Sequence, residues 1–202
     1  MLKLFGHPDS GHAYKVRLML RLAKIEHDYT FIDIFSERST RPVEFRTHSR
    51  FQEVPLLLDD STALVQSNAI LIYLARKYGI MGGESPDQLQ QHIEWLFWEA
   101  NKIGLCMPQI RAHYRFDGSQ LSTGAMQWLL KRYQHDVGIL EQHFQQGHRW
   151  LVGSAMGIAD CSVCAYLLWA DEARLSVPPS VQDWLDRICS LELWQDAYTL
   201  LA

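Results

Sequence analysis

The sequence predicts an α/β domain over residues 1–80, a linker over 81–84 and an all-helical domain over 85–202. Short apolar strand patterns occur only before residue 66, and helical patterns separate them in the order β-α-β-α-β-β-α. After residue 85, helical periodicity is the only pattern that remains. With 202 residues, of which 48% are hydrophobic, the chain can bury the cores of two small domains.

Each element of the first domain is predicted from its local pattern. The strand over 27–34 alternates apolar and polar residues, and Asp59-Asp60-Ser61 is a turn signal that joins two strands into a hairpin. Gly79 is a natural stop for the last helix. The predicted elements are strand 2–5, helix 14–24, strand 27–34, helix 43–47, strand 54–58, strand 63–65 and helix 67–78.

The second domain begins with a strong helix start. In Ser85-Pro86-Asp87-Gln88, serine suits the N-cap, proline the first helical position and glutamine the third. Another start lies near residue 157, where Gly157 takes the N-cap position and Asp160 can accept from backbone N–H groups. The predicted helices are about 86–115, 122–146, 158–172, 180–189 and 191–200.

Composition and charge argue against several classes of function. Lysine plus arginine is 19 and aspartate plus glutamate is 23, so the net charge of −4 gives no footprint for nucleic acid or an anionic membrane. The one basic cluster lies on the first predicted helix and is interpreted as a solvated face; it consists of Lys15, Arg17, Arg21 and Lys24. No apolar run is long enough for a secretory signal or for the ~18 residues of a membrane span.

Cysteine and histidine usage predicts neither a disulfide framework nor a metal site. Four cysteines in 202 residues are typical of a reducing compartment, so we expect the protein in the cytoplasm. Cys161 and Cys164 form a CxxC inside an apolar helix rather than at a helix start, which favours core packing over redox chemistry. The nine histidines have no spacing typical of metal ligands, so no metal is expected.

The most specific pattern in the chain lies between residues 51 and 79. It reads Phe51-Gln52-Glu53-Val54-Pro55-Leu56-Leu57-Leu58, then Leu64-Val65-Gln66-Ser67-Asn68-Ala69-Ile70-Leu71 and Tyr73-Leu74-Ala75. This segment resembles the glutathione-site segment of cytosolic glutathione transferases, in which a (Q/E)VP strand start precedes (Q/E)(S/T)xAI. The resemblance implies a thioredoxin-like first domain, glutathione as co-substrate and a homodimer, with a bacterial-type, serine-type active site.

The Val54–Pro55 pair has two interpretations. Proline cannot donate to a strand ladder, so it is an ordinary residue at a strand entry. If the bond is cis, as the resemblance implies, the chain turns and Val54 can pair its backbone with the cysteinyl part of glutathione, like an added strand. Glu53, Val54 and Pro55 are therefore expected in the glutathione site.

Gln66 and Ser67 stand at the start of the predicted helix 67–78. A serine N-cap stabilises a helix by ~1 kcal/mol, and the same helix N-terminus also suits a carboxylate. By resemblance, the two residues hold the γ-glutamyl end of glutathione. Phe51 resembles the aromatic key that some transferase classes insert into a partner subunit, although a local core aromatic has the same pattern.

By resemblance, the turn after the first strand carries the catalytic residue. Serine-type classes have a serine six residues before the position of Val16, and Ser10 fits this spacing, whereas Leu4 occupies the place of the tyrosine in other classes. A hydroxyl at a helix N-terminus can stabilise a thiolate. Ser10 could instead be a plain cap, with Tyr14 or His12 as alternative donors.

The resemblance therefore predicts a transferase that conjugates the glutathione thiolate to small apolar electrophiles. An electrophile pocket is expected between the domains, at His12, Asn101, Leu105 and Met107. Two alternatives stay open: a non-catalytic transferase-like module for protein interactions, and a glutathione-dependent isomerase or dehalogenase. The Asn-Pro pair common before (Q/E)VP in the family is Ser49-Arg50 here, and its effect on binding stays open.

Overall fold

The computed structural model describes residues 1–118 and 120–202. The elements before residue 80 follow the predicted β-α-β-α-β-β-α order, and the elements after Ser85 are helices. In chain order they are β1 (Leu2–Gly6), α1 (Gly11–Leu22), β2 (His27–Phe31), α2 (Val43–His48), β3 (Leu56–Asp59), β4 (Thr62–Val65), α3 (Ser67–Tyr78), α4 (Pro86–Asn101), α5 (Ile103–Arg115), α6 (Thr123–Gln145), α7 (Ile158–Leu167), α8 (Pro179–Cys189) and α9 (Ala197–Leu200).

The sheet has the strand order β2-β1-β3-β4. Strand β1 runs parallel to β2 and antiparallel to β3, so Leu4 pairs with Tyr29 on one side and Leu57 on the other. Both faces of the central strands are covered, because Leu4 and Leu57 pack against α1 and α3 while Phe5 and Leu56 pack towards α2. This is the thioredoxin-like arrangement that the resemblance implied.

The hydrophobic core is continuous across the predicted linker. One buried cluster joins Leu4 and Ile70 of the α/β part to Leu96, Ile158 and Cys161 of the helical part. The two parts contribute buried side chains to one cluster and do not have separate cores. The boundary at residues 81–84 therefore stays a prediction. Helix α7 is buried along its whole length, which explains why Cys161 and Cys164 are core residues.

The predicted helix over 86–115 is wrong in one respect, because the chain leaves the helical conformation at Lys102 (φ −120°, ψ −97°). Two helices, α4 and α5, meet there. Gly104 fits closely at this break, since a Cβ at its position would lie 2.4 Å from Oε1 of Glu99. The break therefore places Glu99 against the start of α5, which periodicity alone did not reveal.

Other boundaries also differ from the prediction. Helix α1 begins at Gly11 rather than Tyr14, β2 ends at Phe31, and α7 ends at Leu167 rather than 172. In the predicted helix 191–200 only Ala197–Leu200 is helical. The side chain of Asp196 accepts from Thr199 N at 3.0 Å and starts that short helix at its own position.

Interpreting the basic cluster of α1 as a solvated face is wrong for two of its four members. Lys15 is buried, and the Arg17 guanidinium lies 3.7 Å from the ring centre of Tyr29 with two of its nitrogens buried. Arg21 and Lys24 are exposed, as predicted. Helix α1 is packed on several sides, so a face rich in basic residues is not an exposed face here.

The predicted helix start at residue 157 is confirmed. Gly157 is the N-cap of α7, and its N–H donates to Oδ2 of Asp160 at 2.9 Å. The other carboxylate oxygen accepts from Leu151 N at 3.0 Å and from Nε1 of Trp184 at 2.9 Å. Asp160 thus fixes α7 to the chain before it and to α8, which is a structural role.

Candidate functional site

The N-terminus of α3 opens into a cleft. Gln66 is the N-cap residue, its backbone lies in the left-handed region (φ 70°, ψ 111°), and its side chain makes no capping hydrogen bond. Ser67, which we expected at the N-cap, is instead the first helical residue. Because no side chain within residues 1–118 and 120–202 caps α3, its first N–H groups and its partial positive charge face the cleft, an arrangement that suits a carboxylate.

The entry to β3 forms another part of the same cleft. The Val54–Pro55 peptide bond is cis, and the ladder of β3 begins only at Leu56, which pairs with Phe5 and Val65. The backbone of Val54 therefore lies outside the ladder, where an extended ligand can reach it.

The contacts of Ser49 show how this chain holds the segment in which the family commonly has an Asn-Pro pair. Its side chain is fully buried, and its hydroxyl donates to Glu53 O at 3.1 Å and accepts from Glu53 N at 3.3 Å. Both backbone groups of Glu53 are thus fixed by one hydroxyl, directly before Val54. The serine holds the strand entry in place without an asparagine.

A buried ion pair forms the floor of the cleft. Nζ of Lys15 in α1 lies 2.7 Å from Oε2 of Glu99 in α4, and each side chain is only 1% exposed. Nδ2 of Asn68 donates to the same oxygen at 3.1 Å, and Oγ of Ser162 lies 3.1 Å from it. Four helices, α1, α3, α4 and α7, therefore meet in one polar network.

The Glu99 carboxylate is only half satisfied by this network. Burial raises its pKa, but the Lys15 ammonium and the hydrogen bonds together hold the pKa below its ordinary value of 4.5, so the carboxylate is ionised at neutral pH. Its Oε1 atom is buried and has no hydrogen-bond partner among the described residues. A buried carboxylate oxygen without a partner carries a desolvation cost, and a ligand that donates to it would remove that cost.

His12 lies near this pair at the start of α1. Burial, followed by the charge of Lys15, lowers the pKa of His12 to about 4, so its ring is neutral at pH 7. The ring packs edge-on against Tyr166, with the ring centres 5.1 Å apart. A neutral imidazole here can donate or accept one hydrogen bond without adding charge to the cleft.

Ser10 is the N-cap of α1 and has a role in the fold. Its Oγ accepts from Ala13 N at 3.2 Å, and its own N–H donates to His7 O at 2.9 Å. The hydrogen bonds found in residues 1–118 and 120–202 include none that the Ser10 hydroxyl donates. Its proton is therefore free for a ligand, although the side chain is only 6% exposed.

Arg111 of α5 holds the turn that carries Ser10. Its guanidinium donates to Asp9 Oδ1 at 2.7 Å, to Asp9 O at 3.1 Å and to Glu172 Oε2 at 2.7 Å. The same group lies over the ring of Trp169, 3.9 Å from its centre, and donates to the Tyr198 hydroxyl at 2.8 Å. The helical part of the chain thus fixes the position of the turn in which the sequence analysis predicted the catalytic residue.

The structure leaves Tyr14 no role as a thiol donor. Its side chain is buried in the core, and its hydroxyl donates to Gln195 O at 2.7 Å. Its pKa lies far above the ordinary value, with burial as the main cause. Of the two alternatives to Ser10, only His12 lies in the cleft.

The cleft has a volume of about 450 Å³, and all five residues predicted to bind glutathione line it. Its walls come from the first turns of α1 and α3, the entry to β3, and both sides of the α4–α5 break. The lining residues are His12, Lys15, Phe51, Glu53, Val54, Pro55, Val65, Gln66, Ser67, Asn68, Ala69, Ile72, Leu96, Phe97, Glu99, Ala100 and Gly104.

Four predicted site residues do not line this cleft: Ser10, Asn101, Leu105 and Met107. Met107 is fully buried in the core, so its assignment to an electrophile pocket is corrected: the helical phase marked a core position. Asn101 is exposed and Leu105 is half-buried. Both lie beside the break at Lys102. The inner face was predicted for one continuous helix over 86–115, and the break changes which residues face the cleft.

Three charged or polar residues of the cleft were missed by the sequence analysis. Lys15 was counted in a solvated face, and Asn68 and Glu99 carried no motif of their own. One feature of the sequence could have indicated Glu99 as a site residue: it is an acidic residue between the apolar positions Trp98 and Ala100 on an amphipathic helix. Its partner Lys15 is far away in the sequence, so the pair itself could not be found.

The described part of the chain holds no group of three or more His, Cys, Asp or Glu residues arranged for a metal ion. Nor does any helix within residues 1–118 and 120–202 have the length and apolar character to cross a bilayer.

Comparisons with known protein families match both parts of the chain. The glutathione S-transferase N-terminal domain matches residues 1–76, and the glutathione S-transferase C-terminal domain matches residues 129–192. The matched N-terminal region contains both the strand entry at Val54 and the start of α3.

Individual relatives cover nearly the whole chain. The disulfide-bond oxidoreductase YfcG of Escherichia coli strain K12 is 27% identical over 94% of this chain and 91% of its own. The dichloromethane dehalogenase of Methylophilus leisingeri is 24% identical over 95% of this chain and 76% of its own. The crystal structure of a possible glutathione S-transferase from Rhodopseudomonas palustris superposes with a TM-score of 0.87 at 25% identity, covering 98% of each chain.

Proposed function

Because this chain belongs to the glutathione S-transferase superfamily, we propose that it binds glutathione in the cleft and transfers the glutathione sulfur to a small electrophile. One observation carries the proposal: an uncapped helix N-terminus and a strand entry with a free backbone line the same cleft. The first suits the α-carboxylate of the γ-glutamyl end at Gln66 and Ser67. The second suits the cysteinyl backbone at Val54.

The reaction needs the thiol as a thiolate. Lowering a thiol pKa from ~8.5 by about two units requires ~2.7 kcal/mol. The Ser10 hydroxyl, donating to the sulfur, and the N-terminus of α1 supply stabilisation of this size. The sulfur then forms a bond to carbon while a leaving group such as halide departs with its electron pair. Because dehalogenation begins with the same step, the proposal covers both transferase and dehalogenase substrates.

We further propose that two copies of the chain pair across the outer rim of the cleft. Phe51 is 44% exposed and Phe97 is 73% exposed, and both line the cleft beside Ala69 and Ile72. A second copy would cover this apolar rim, with Phe51 as the key residue. Exposed apolar residues that form a contiguous patch are typical of an interface.

Light scattering tests the dimer. We expect a mass of twice the 23.4 kDa of one chain at micromolar concentration. Phe51→Ala should weaken dimerisation by about tenfold or more, because one buried aromatic anchor is lost. Val43→Ala, which changes an exposed residue of α2 outside the cleft, should not. A monomeric parent would contradict the dimer, and a Phe51→Ala dimer as tight as the parent would contradict the key role alone.

Isothermal titration with glutathione tests the binding proposal. The parent should bind saturably, and Ser67→Ala should weaken binding by about tenfold, because one hydrogen bond to a charged carboxylate is worth about 1.5 kcal/mol or more. Ser190→Ala removes an exposed hydroxyl that donates to Arg187 O, far from the start of α3 in the sequence, and it serves as the matched control. No binding by the parent would contradict the proposal and favour a protein-interaction module.

A further inference from the structure

The peptide group between Asp9 and Ser10 is held at both ends. Its carbonyl, Asp9 O, accepts from Nη1 of Arg111 at 3.1 Å. Its amide, Ser10 N, donates to His7 O at 2.9 Å, and the N–H of Asp9 donates to Nδ1 of His7 at 3.0 Å. Because a peptide group is planar, these bonds fix the backbone directly before the Cα atom of Ser10.

The carboxylate of Asp9 binds the same guanidinium. Its Oδ1 atom accepts from Nη2 of Arg111 at 2.7 Å and lies 3.2 Å from the Tyr198 hydroxyl. Asp9 therefore offers two acceptors, its backbone carbonyl and its side chain, to one planar donor group. A contact at two points fixes orientation as well as distance.

Arg111 is itself held by groups outside the α/β part. It is 2% exposed, and its Nε donates to Oε2 of Glu172 at 2.7 Å. Its guanidinium lies 3.9 Å from the ring centre of Trp169, and Nη2 donates to the Tyr198 hydroxyl at 2.8 Å. The contacts between Arg111 and Asp9 therefore hold the turn to a fixed support.

The position of the Ser10 hydroxyl follows the backbone of this turn. Its oxygen accepts from Ala13 N at 3.2 Å, which restricts rotation of the side chain. On the other side, Gly11 packs directly on Tyr166, since a Cβ at Gly11 would lie 2.7 Å from that ring. A hydrogen bond weakens steeply once its angle falls below ~120°, so a small displacement of the turn would weaken a bond from Ser10 to a sulfur.

We propose that Asp9 is a positioning residue for the proposed reaction: through its two contacts with Arg111 it sets the place from which Ser10 donates to the glutathione sulfur. Asp9 acts through Ser10 and does not touch the substrate. The inference rests on the proposed function, because it takes Ser10 as the donor. Its effect falls on the thiol and not on peptide binding, since Val54 and Ser67 belong to other elements.

The charge of Asp9 and its positioning role have opposite effects on the thiol. A carboxylate disfavours a nearby thiolate, so loss of the charge alone would lower the thiol pKa or leave it unchanged. Loss of the positioning contact weakens the hydrogen bond to the thiolate and raises the thiol pKa. Asp9→Ala removes both, so the direction of the shift distinguishes the two effects.

The absorbance of the bound thiolate, measured against pH, tests the proposal on the full chain. In Asp9→Ala we expect the pKa of the bound glutathione thiol to rise by about half a unit or more, and kcat at neutral pH to fall by about threefold or more. The dissociation constant of glutathione should change by less than about twofold. Asp9→Asn retains an acceptor for Arg111 and should lie between the parent and Asp9→Ala.

Three further variants make the test specific. Tyr198→Phe removes only a hydroxyl beside Asp9 and should also raise the thiol pKa, which covers the case in which Asp9→Ala does not fold. Tyr133→Phe is its matched control, because it removes a hydroxyl that donates to Ser176 O, and it should leave the thiol pKa unchanged. Asp171→Ala removes an exposed carboxylate and should leave it unchanged as well.

A double variant shows whether Asp9 acts through Ser10. In Asp9→Ala with Ser10→Ala, the thiol pKa should be no higher than in Ser10→Ala alone, because no hydroxyl is left to position. A higher pKa in the double variant would mean that Asp9 acts on the sulfur by another route, and it would overturn the proposal.

The outcomes separate this proposal from the proposed function. If the parent binds glutathione and Ser10→Ala raises the thiol pKa, an unchanged or lowered thiol pKa in Asp9→Ala and Tyr198→Phe would overturn the positioning role alone. A parent thiol titration in Ser10→Ala would overturn the role of Ser10 and the positioning role together. No glutathione binding by the parent would overturn the proposed function and this inference with it.

Discussion

Replacing Lys15 by methionine should lower the free energy of unfolding by about 3 kcal/mol or more, because it leaves the buried Glu99 carboxylate without its counter-charge. The pair is 2.7 Å apart and both side chains are 1% exposed, so water cannot replace the lost partner. Removing Glu99 as well, in Lys15→Met with Glu99→Gln, should recover most of the loss. Urea unfolding of the parent and the two variants measures these differences.

An exposed ion pair provides the control for this experiment. Lys3 lies 2.6 Å from Glu44, with the two side chains 32% and 45% exposed. Lys3→Met should therefore change stability by at most about 1 kcal/mol. If Lys15→Met were no more destabilising than Lys3→Met, the buried pair would not be the link between the four helices.

The pair also predicts a direction for the pH dependence. Burial raises the folded-state pKa of Glu99, but the Lys15 ammonium and the hydrogen bonds hold this pKa below the ordinary value of 4.5. The resulting stability is fully present above that value and is lost as the pH falls through the folded-state pKa. In Lys15→Met this acid-sensitive part of the stability should disappear.

Replacing Ser10 by alanine should lower the rate of conjugation by about tenfold or more, equivalent to ~1.4 kcal/mol in the barrier. The lost hydroxyl is the proposed donor to the sulfur, so the pKa of the bound thiol should rise and thiolate absorbance near neutral pH should fall. Affinity for glutathione should stay close to the parent value, because the peptide is held at Val54 and Ser67. Ser10→Thr keeps a hydroxyl and should retain most of the activity.

Loss of the helix cap needs its own control, since Ser10 also caps α1. Ser122 caps α6 in the same way, with its side chain accepting from Ala125 N at 3.3 Å. Ser122→Ala should cost a similar ~1 kcal/mol in stability without any effect on the rate. A Ser10→Ala enzyme with the parent's rate and thiol titration would contradict the assignment and leave His12 as the donor to test.

The features that the sequence predicted well are those that depend on neighbouring residues. The turn at residues 59–61, the stop at Gly79 and the helix starts at Ser85 and Gly157 each follow from side-chain and backbone chemistry within a few positions. The Val54–Pro55 and Gln66-Ser67 segments belong to the same group, since their pattern is local even though the cleft they form is not. At α3 the prediction was wrong by one residue, because it placed the N-cap at Ser67 and the N-cap is Gln66.

The features that the sequence did not predict depend on which helices meet. Lys15 lies among other basic residues in the sequence of α1, which predicted a solvated face. Only the packing of α4 and α7 around it makes it a buried partner of Glu99. The break at Lys102 depends on Gly104 fitting against Glu99. The helical phase of Met107 fits a core position as well as a pocket position, and only the packing of α5 after the break shows that it lies in the core.

The amide resonances of the chain, followed during a titration with glutathione, test the central claim most directly. If the ligand lies between the strand entry and the start of α3, the amides of Val54, Ser67 and Asn68 should shift saturably, with one dissociation constant. The amide of Gly138, in the middle of α6 and away from the cleft, should not move. A titration without shifts at Val54, Ser67 and Asn68, whether the changes occur elsewhere or nowhere, would contradict the account.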